Sequence, residues 1–386
     1  MKFMKKLMKI TSLALALVCA AGVATGCGGT KGDPKTLVIG GTGPLTGEYA
    51  SYGNSVKNGA EIAVEEINAA GGINGIKFEV KFEDDQGDPQ TAVNAYSTLV
   101  DKGMQVSLGA VTSGACVALT EEAKKDGMLL LTPSGSQKEC TQYDNCFRIC
   151  FTDPDQGTYA AQFIKDNAIG SKVGIIYEKS NDYSNGITET FLAKAKEIGL
   201  EVVDPQAFTD QSNTDFSVQL QALKDAGIDL LFLPIYYENA AKIITQADKA
   251  GMKVTIFGVD GMDGIIKQMG EENKALTEGI LLLTPFAADS TDAKTAAFVK
   301  TYQEKFNATP DQFAADGYDA VYTIAAALTK SGITDTTVSD LNAQLIAAMT
   351  QITVEGVTGT MTWSADGEPT KSAKAVKIVD GVYKAY

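Results

Sequence analysis

Apolar positions along this chain fall into short runs that alternate with longer stretches of helical period. Residues 37–39 (LVI) form a compact apolar run with glycines directly after it, the pattern of a buried strand. Val56, Ala60, Ala63, Val64 and Ile67 then share one helical face. Ile76, Phe78, Val80 and Phe82 alternate with polar residues, which predicts a strand with one wetter face. A helix buries Ala92, Ala95, Tyr96 and Leu99, and further strands are expected at 106–108 and 128–131, with a helix at 116–126 between them.

The second half repeats the theme. Strands are expected at 173–177, 228–233 and 254–258, and helices at 155–166, 215–225 and around Ile187, Phe191, Ala195 and Ile198. The 228–233 run is almost wholly apolar, as central strands of parallel sheets are. Another apolar run lies at 281–283, followed by helices at 292–306, 321–329 and 341–349. The C-terminus returns to strands, with turns at Ala365-Asp366-Gly367 and Asp380-Gly381. Strands alternating with helices predict an α/β fold with mostly parallel sheets.

The strand ends carry the chemistry. The first strand opens into Gly40, Gly41, Gly43, Pro44 and Gly47, a loop that lets backbone approach a ligand closely. It contains no Lys for a mononucleotide loop, and its glycine spacing misses the dinucleotide pattern by one residue. Two later strands empty into Thr112-Ser113-Gly114 and Thr132-Pro133-Ser134-Gly135-Ser136. Hydroxyls beside a helix N-terminus suit a carboxylate, so Ser113 and Ser136 are candidate ligand contacts, though Ser and Thr also cap helices. In parallel sheets ligands bind beyond the carboxyl ends of the strands, where these loops fall.

Residues 1–26 have the order of a secretory signal: basic Lys2, Lys5, Lys6 and Lys9, an apolar stretch, then Ala24-Thr25-Gly26. Those small residues precede Cys27, which is expected to become a lipid-modified first residue, with 27–35 as its tether; an ordinary cleavable signal or an uncleaved anchor helix is the alternative. The formal net charge of −15 makes a poor nucleic-acid binder. The chain has no histidine, which removes Ser-His-Asp and Cys-His catalysis and the usual catalytic zinc ligand. No metal site or cofactor is expected. Cys116, Cys140, Cys146 and Cys150 remain in an exported chain, and two disulfides are expected. Cys140 and Cys146 flank a short polar loop and are the preferred pair, leaving Cys116 with Cys150.

The opening Gly43-Pro44-Leu45-Thr46-Gly47 and the pair Tyr52-Gly53 resemble the type I periplasmic solute-binding proteins for branched-chain amino acids (leucine, isoleucine, valine). Matching features continue in order: the 109–113 loop, Thr132-Pro133 before a small trio, Asp182-Tyr183, Asp260-Gly261, Gly317-Tyr318-Asp319-Ala320 and Gly356-Val357-Thr358-Gly359. The resemblance implies two hinged lobes, each a mostly parallel sheet flanked by helices. Lobe 1 would be 36–153 plus 285–356, and lobe 2 would be 154–284 plus 357–386.

By the same resemblance Ser113, Ser134 and Ser136 hold a ligand α-carboxylate, Asp260 pairs with the α-ammonium, and Tyr183 lies near the ligand backbone. Tyr52 and one of Tyr236 and Tyr237 would wall the side chain. A zwitterion needs donors at one end and an anion at the other, so the residue chemistry agrees. The small trio is more polar here than is usual in the family. The implied role is a lipid-anchored, extracytoplasmic binding component of an ABC importer, without enzymatic activity, that delivers an amino acid to membrane permease subunits. A sensory or amide/urea-type receptor of the same fold is the alternative. An exported enzyme using Asp84, Asp85, Asp260 and Asp263 is a third reading, with no nucleophile paired to a base.

Overall fold

The computed structural model describes residues 33–209, 213–371 and 373–386. The signal segment and Cys27 lie outside the described residues. The first half runs β1 (Thr36–Gly43), α1 (Ala50–Ala69), β2 (Lys77–Asp84), α2 (Pro89–Asp101), β3 (Val106–Leu108), α3 (Ser113–Asp126), β4 (Leu130–Thr132) and β5 (Cys146–Arg148). These strands form one sheet in the order β2-β1-β3-β4-β5, parallel throughout. Register is fixed by buried residues: Ile39 of β1 lies opposite Val80 on one side and Val106 on the other.

The middle of the chain runs α4 (Asp153–Asp166), β6 (Lys172–Glu178), α5 (Asp182–Ile198), β7 (Glu201–Val202), β8 (Gln206–Phe208), α6 (Ser217–Ala226), β9 (Leu230–Leu233), α7 (Tyr237–Lys249), β10 (Thr255–Gly258), α8 (Ile265–Asn273) and β11 (Leu281–Thr284). Then come α9 (Ala293–Phe306), α10 (Gln312–Ser331), α11 (Leu341–Met349), the small hairpin β12 (Val354–Gly356) and β13 (Gly359–Met361), and the final β14 (Lys374–Val379) and β15 (Val382–Ala385). The second sheet has the order β15-β14-β11-β10-β9-β6-β7, with β8 also paired to β6. It is parallel except at β14 and β15, which run antiparallel and turn at Asp380-Gly381, both at positive φ.

Helices α9 to α11 return to the first sheet. Phe298, Tyr302, Ala314, Tyr318, Val321 and Leu345 share a core with Leu37, Ile39 and Leu131. Helices α1 and α10 touch backbone to backbone. A Cβ on Gly59 would stand 1.9 Å from the Ala314 carbonyl oxygen, and one on Gly317 would stand 2.3 Å from that of Val56. Only glycine permits that approach.

The chain passes between the two sheets three times, at 149–152, 285–292 and 364–373. The expected last boundary, 356/357, is therefore too early. β13 pairs with β12, and Met361 and Trp363 are buried in the first core. The Trp363 indole donates to the Arg148 carbonyl at 2.7 Å, which ties this stretch to the first sheet. The third passage carries a buried ion pair, Lys371 to Asp316 of α10 at 3.0 Å, and Lys371 also donates to the Ile149 carbonyl at 2.8 Å. One ammonium thus joins two of the three passages to α10.

The expected disulfides are not formed; Cys116, Cys140, Cys146 and Cys150 are buried free thiols. Cys140 lies in a 3-10 turn at Lys138–Thr141, and its Sγ is turned to α3, where it donates to the Ser113 carbonyl at 3.8 Å. Cys150 lies instead among Arg148, Lys371 and Asp316 at the passages.

Candidate functional site

Six strand ends meet in one cleft. From the first sheet, the segment after β1 supplies Tyr52, that after β3 supplies Ser113, and that after β4 supplies Ser134 and Ser136. From the second, the segment after β6 supplies Tyr183, that after β9 supplies Tyr236, and that after β10 supplies Asp260. All seven candidate residues line the same cavity, joined by Val111, Thr112, Gly261 and Phe313. The lobes leave little space between these residues: the cavity volume is about 10 Å³, roughly room for one water molecule.

The serine side is a loop held from behind. Ser113 is the first residue of α3, whose first-turn N–H groups have no helical partner. Its Oγ accepts from the backbone N–H groups of Ser136 (3.2 Å) and Gln137 (3.3 Å), which leaves its proton to donate. The Ser136 hydroxyl lies 3.5 Å away. Ser134 donates to the Val111 carbonyl at 2.7 Å, so its proton is spent within the loop. Ser134 is therefore a wall and lock, while Ser113 and Ser136 are the better donors. Arg148 sits behind the loop and is fully buried. It donates to the carbonyls of Gly135 (2.9 Å), Gln137 (3.0 Å) and Lys138 (3.2 Å) and pairs with Glu368. Its charge supports the loop and does not reach the cleft through any of these bonds.

Asp260 opens a short 3-10 turn at the end of β10. Its Oδ1 accepts from the Tyr183 hydroxyl at 2.6 Å, and its N–H donates to Gln156 Oε1 at 3.2 Å. The Gln312 side chain of α10 donates to its carbonyl at 2.7 Å, so the first lobe's helix holds the second lobe's turn. Burial pushes the Asp260 carboxyl up to about 6, against the bond from Tyr183 and the nearby Gln156 side chain. Burial and the neighbouring Asp260 hold the Tyr183 phenol well above 10, so it stays a donor.

Aromatic rings cover the rest. Tyr183 and Tyr236 stack at 4.7 Å, and Tyr52 lies 4.4 Å from Phe313 and 4.5 Å from Tyr237. The Tyr52 hydroxyl bridges the lobes: it donates to the Gly261 carbonyl and accepts from the Tyr237 N–H at 3.2 Å. Tyr237 does not line the cavity; its hydroxyl crosses to the Glu48 carbonyl at 2.9 Å. Of the two adjacent tyrosines, Tyr236 alone is a wall.

Phe313 and Gln312 were missed by sequence reasoning. They sit in the first turn of α10, which begins nine residues before the helix expected at 321–329.

An ammonium group pairs with Asp260 only when its carboxyl is ionised. Affinity for a cationic ligand group should therefore hold above pH 6 and fall as pH drops through about 6, approaching tenfold per unit below it. Without ligand the sign reverses. Because the folded value lies above the ordinary 3.8, Asp260 costs the empty protein stability as pH rises from about 4 to 6. Titrations and denaturation curves between pH 4.5 and 8 check both.

A two-sheet α/β molecule, with residues after six strands gathered in one cleft and three chain passages between the sheets, has the build of a ligand-capturing protein. The chain belongs to the periplasmic binding protein family, whose model matches residues 36–382. It is 30% identical over 357 residues to a Leu/Ile/Val-binding protein homologue of Brucella melitensis, covering 92% of this chain and 94% of that one. It is 28% identical to the leucine-, isoleucine-, valine-, threonine- and alanine-binding protein of Pseudomonas aeruginosa, over 85% and 87% of the two chains. Among solved structures it is similar to a branched-chain amino acid transporter substrate-binding protein from Streptococcus pneumoniae in complex with isoleucine. That match has a TM-score of 0.82 and 31% identity, over 91% of this chain and 98% of the other.

Proposed function

We propose that this protein captures a small α-amino acid between its lobes and delivers it to the permease of an ABC importer. Branched-chain side chains are the first choice. The observation that carries this reading is the polarity of the cleft: neutral donors and a helix N-terminus on the serine side, a buried carboxylate at Asp260, and aromatic walls around them. A zwitterion needs that arrangement, and a ligand lacking either charged group would leave one end unpaired. The relatives' names point the same way, two of them specifying leucine, isoleucine and valine. No step of chemistry is assigned to the site. The small-residue stretch before Cys27 supports a lipid anchor on the outer face of the cytoplasmic membrane.

Thermal unfolding of the exported part, freed of co-purified ligand, tests this against the common amino acids and a few short amides. A ligand at 100 times its Kd stabilises by about 2.7 kcal/mol. A marked rise in Tm with leucine, isoleucine or valine is expected. A rise with amides alone would move the protein to the amide-receptor reading.

A further inference from the structure

Asp153, the first residue of α4, is a buried carboxylate with no assigned use. It is 1% exposed, and neither side-chain oxygen makes a hydrogen bond of good geometry, although the Ser136 hydroxyl lies near enough to favour its charged form. An unpaired polar group buried in this way costs stability, so its retention calls for a reason. Helix capping does not supply one: Thr152 caps α4 by accepting from the Asp155 N–H at 3.1 Å.

Asp153 does not line the cavity itself but sits behind residues that do, Ser136, Tyr183 and Asp260. The Asp153 backbone N–H donates to the Ser136 carbonyl at 2.9 Å, which fixes the residue against the serine loop. Gln156, one turn on, shares its face of α4 and is fully buried. Its Oε1 accepts from the Asp260 N–H at 3.2 Å, while its Nε2 has no partner. The two acids therefore flank one polar cluster that includes Ser136, Gln156 and Tyr183. Burial holds the Asp153 carboxyl well above its ordinary range, Asp260 raises it further, and Ser136 and Arg148 oppose the shift. A cation placed between the acids would relieve both burial and mutual repulsion.

We propose that Asp153 is the second carboxylate of the site, and that Asp153 and Asp260 together receive the amino group of the ligand. This rests on the amino-acid reading above and sharpens it. The ligand class is then primary amines that also carry a carboxylate, because an ammonium offers three donors and one carboxylate cannot satisfy them all. Carboxylic acids of the same shape without the amine should bind more weakly, since they leave the two buried carboxyls without a cationic donor.

The test compares wild type with D153N on two ligands: the amino acid that gives the largest thermal shift, and its des-amino carboxylic acid, measured by displacement at pH 7.5. Losing a hydrogen bond to a charged group should weaken the amino acid by about 10- to 100-fold. The des-amino acid should change by less than about threefold, or bind more tightly, since a repulsive charge has gone. Equal losses for both ligands would mean that Asp153 only shapes the loop, and no loss for either would mean that it does not reach the ligand. Both results overturn the proposal while leaving amino-acid capture intact. If wild type binds no amino acid, the underlying reading fails and takes this one with it. Empty D153N should unfold at the same or higher urea concentration than wild type, and Asp153→Ser replaces it if the amide folds poorly.

Discussion

Replacing Asp260 by Asn is expected to abolish amino-acid capture at working concentrations without unfolding the protein. The carboxylate is buried, receives the Tyr183 hydroxyl at 2.6 Å and lines the cavity opposite the serine loop. Removing one member of a buried charge pair costs about 2–5 kcal/mol, roughly 30- to 4,000-fold in Kd. The empty variant should be no less stable than wild type. Its backbone bonds to Gln156 and Gln312 remain, and the Asn carbonyl can still accept from Tyr183. Isothermal titration with a urea curve for each protein reads both quantities. Retained affinity would remove Asp260 from the site.

The second large effect falls far from the ligand. Replacing Lys371 by Met should destabilise the fold by about 3–5 kcal/mol, because it leaves the Asp316 carboxylate buried without its partner. Both side chains are 2% exposed, and they meet at 3.0 Å. Burial already pushes Asp316 up to about 7, with Lys371 pulling it down, so losing the lysine raises it further. The sign follows from linkage: the variant's deficit shrinks as pH falls and the carboxyl takes up a proton, and grows as pH rises. The double variant K371M/D316N should recover most of the loss, since replacing both partners is cheap where removing one is not. Urea midpoints at pH 5 and 8 for the four proteins check this. A single variant as stable as wild type at both values would show that the pair contributes nothing.

The sequence displayed much of this because strand pattern and loop chemistry coincide. Runs such as 228–233 read as buried strands, and their C-terminal loops carry the hydroxyls, tyrosines and Asp260 that the structure gathers in one cleft. What stayed hidden depended on direction in space. Phe313 and Gln312 lie ahead of the helix expected at 321–329; the observed helix begins at Gln312, and no residue pattern marked that earlier start. Asp153 looks like any acid in a helix's first turn until its two oxygens are seen without a hydrogen bond of good geometry. The last boundary was misplaced because Gly356 to Gly359 reads as a turn between lobes. In fact it is held within the first lobe, where the Val357 and Thr358 N–H groups each donate to Asp319 at 2.9 Å. The cysteine spacing suggested a local loop pair, and nothing in it revealed that Cys140 lies in a 3-10 turn with its Sγ turned to α3.

The most direct test of the central claim is calorimetric titration of leucine, isoleucine and valine into the exported part of the chain, after unfolding and refolding to strip any carried ligand. Saturable binding of one molecule per chain, lost in D260N, is the result expected from a cleft with Ser113 and Ser136 on one side and Asp260 on the other. Absence of binding by any amino acid, with the refolded protein showing its native unfolding transition, would contradict the account.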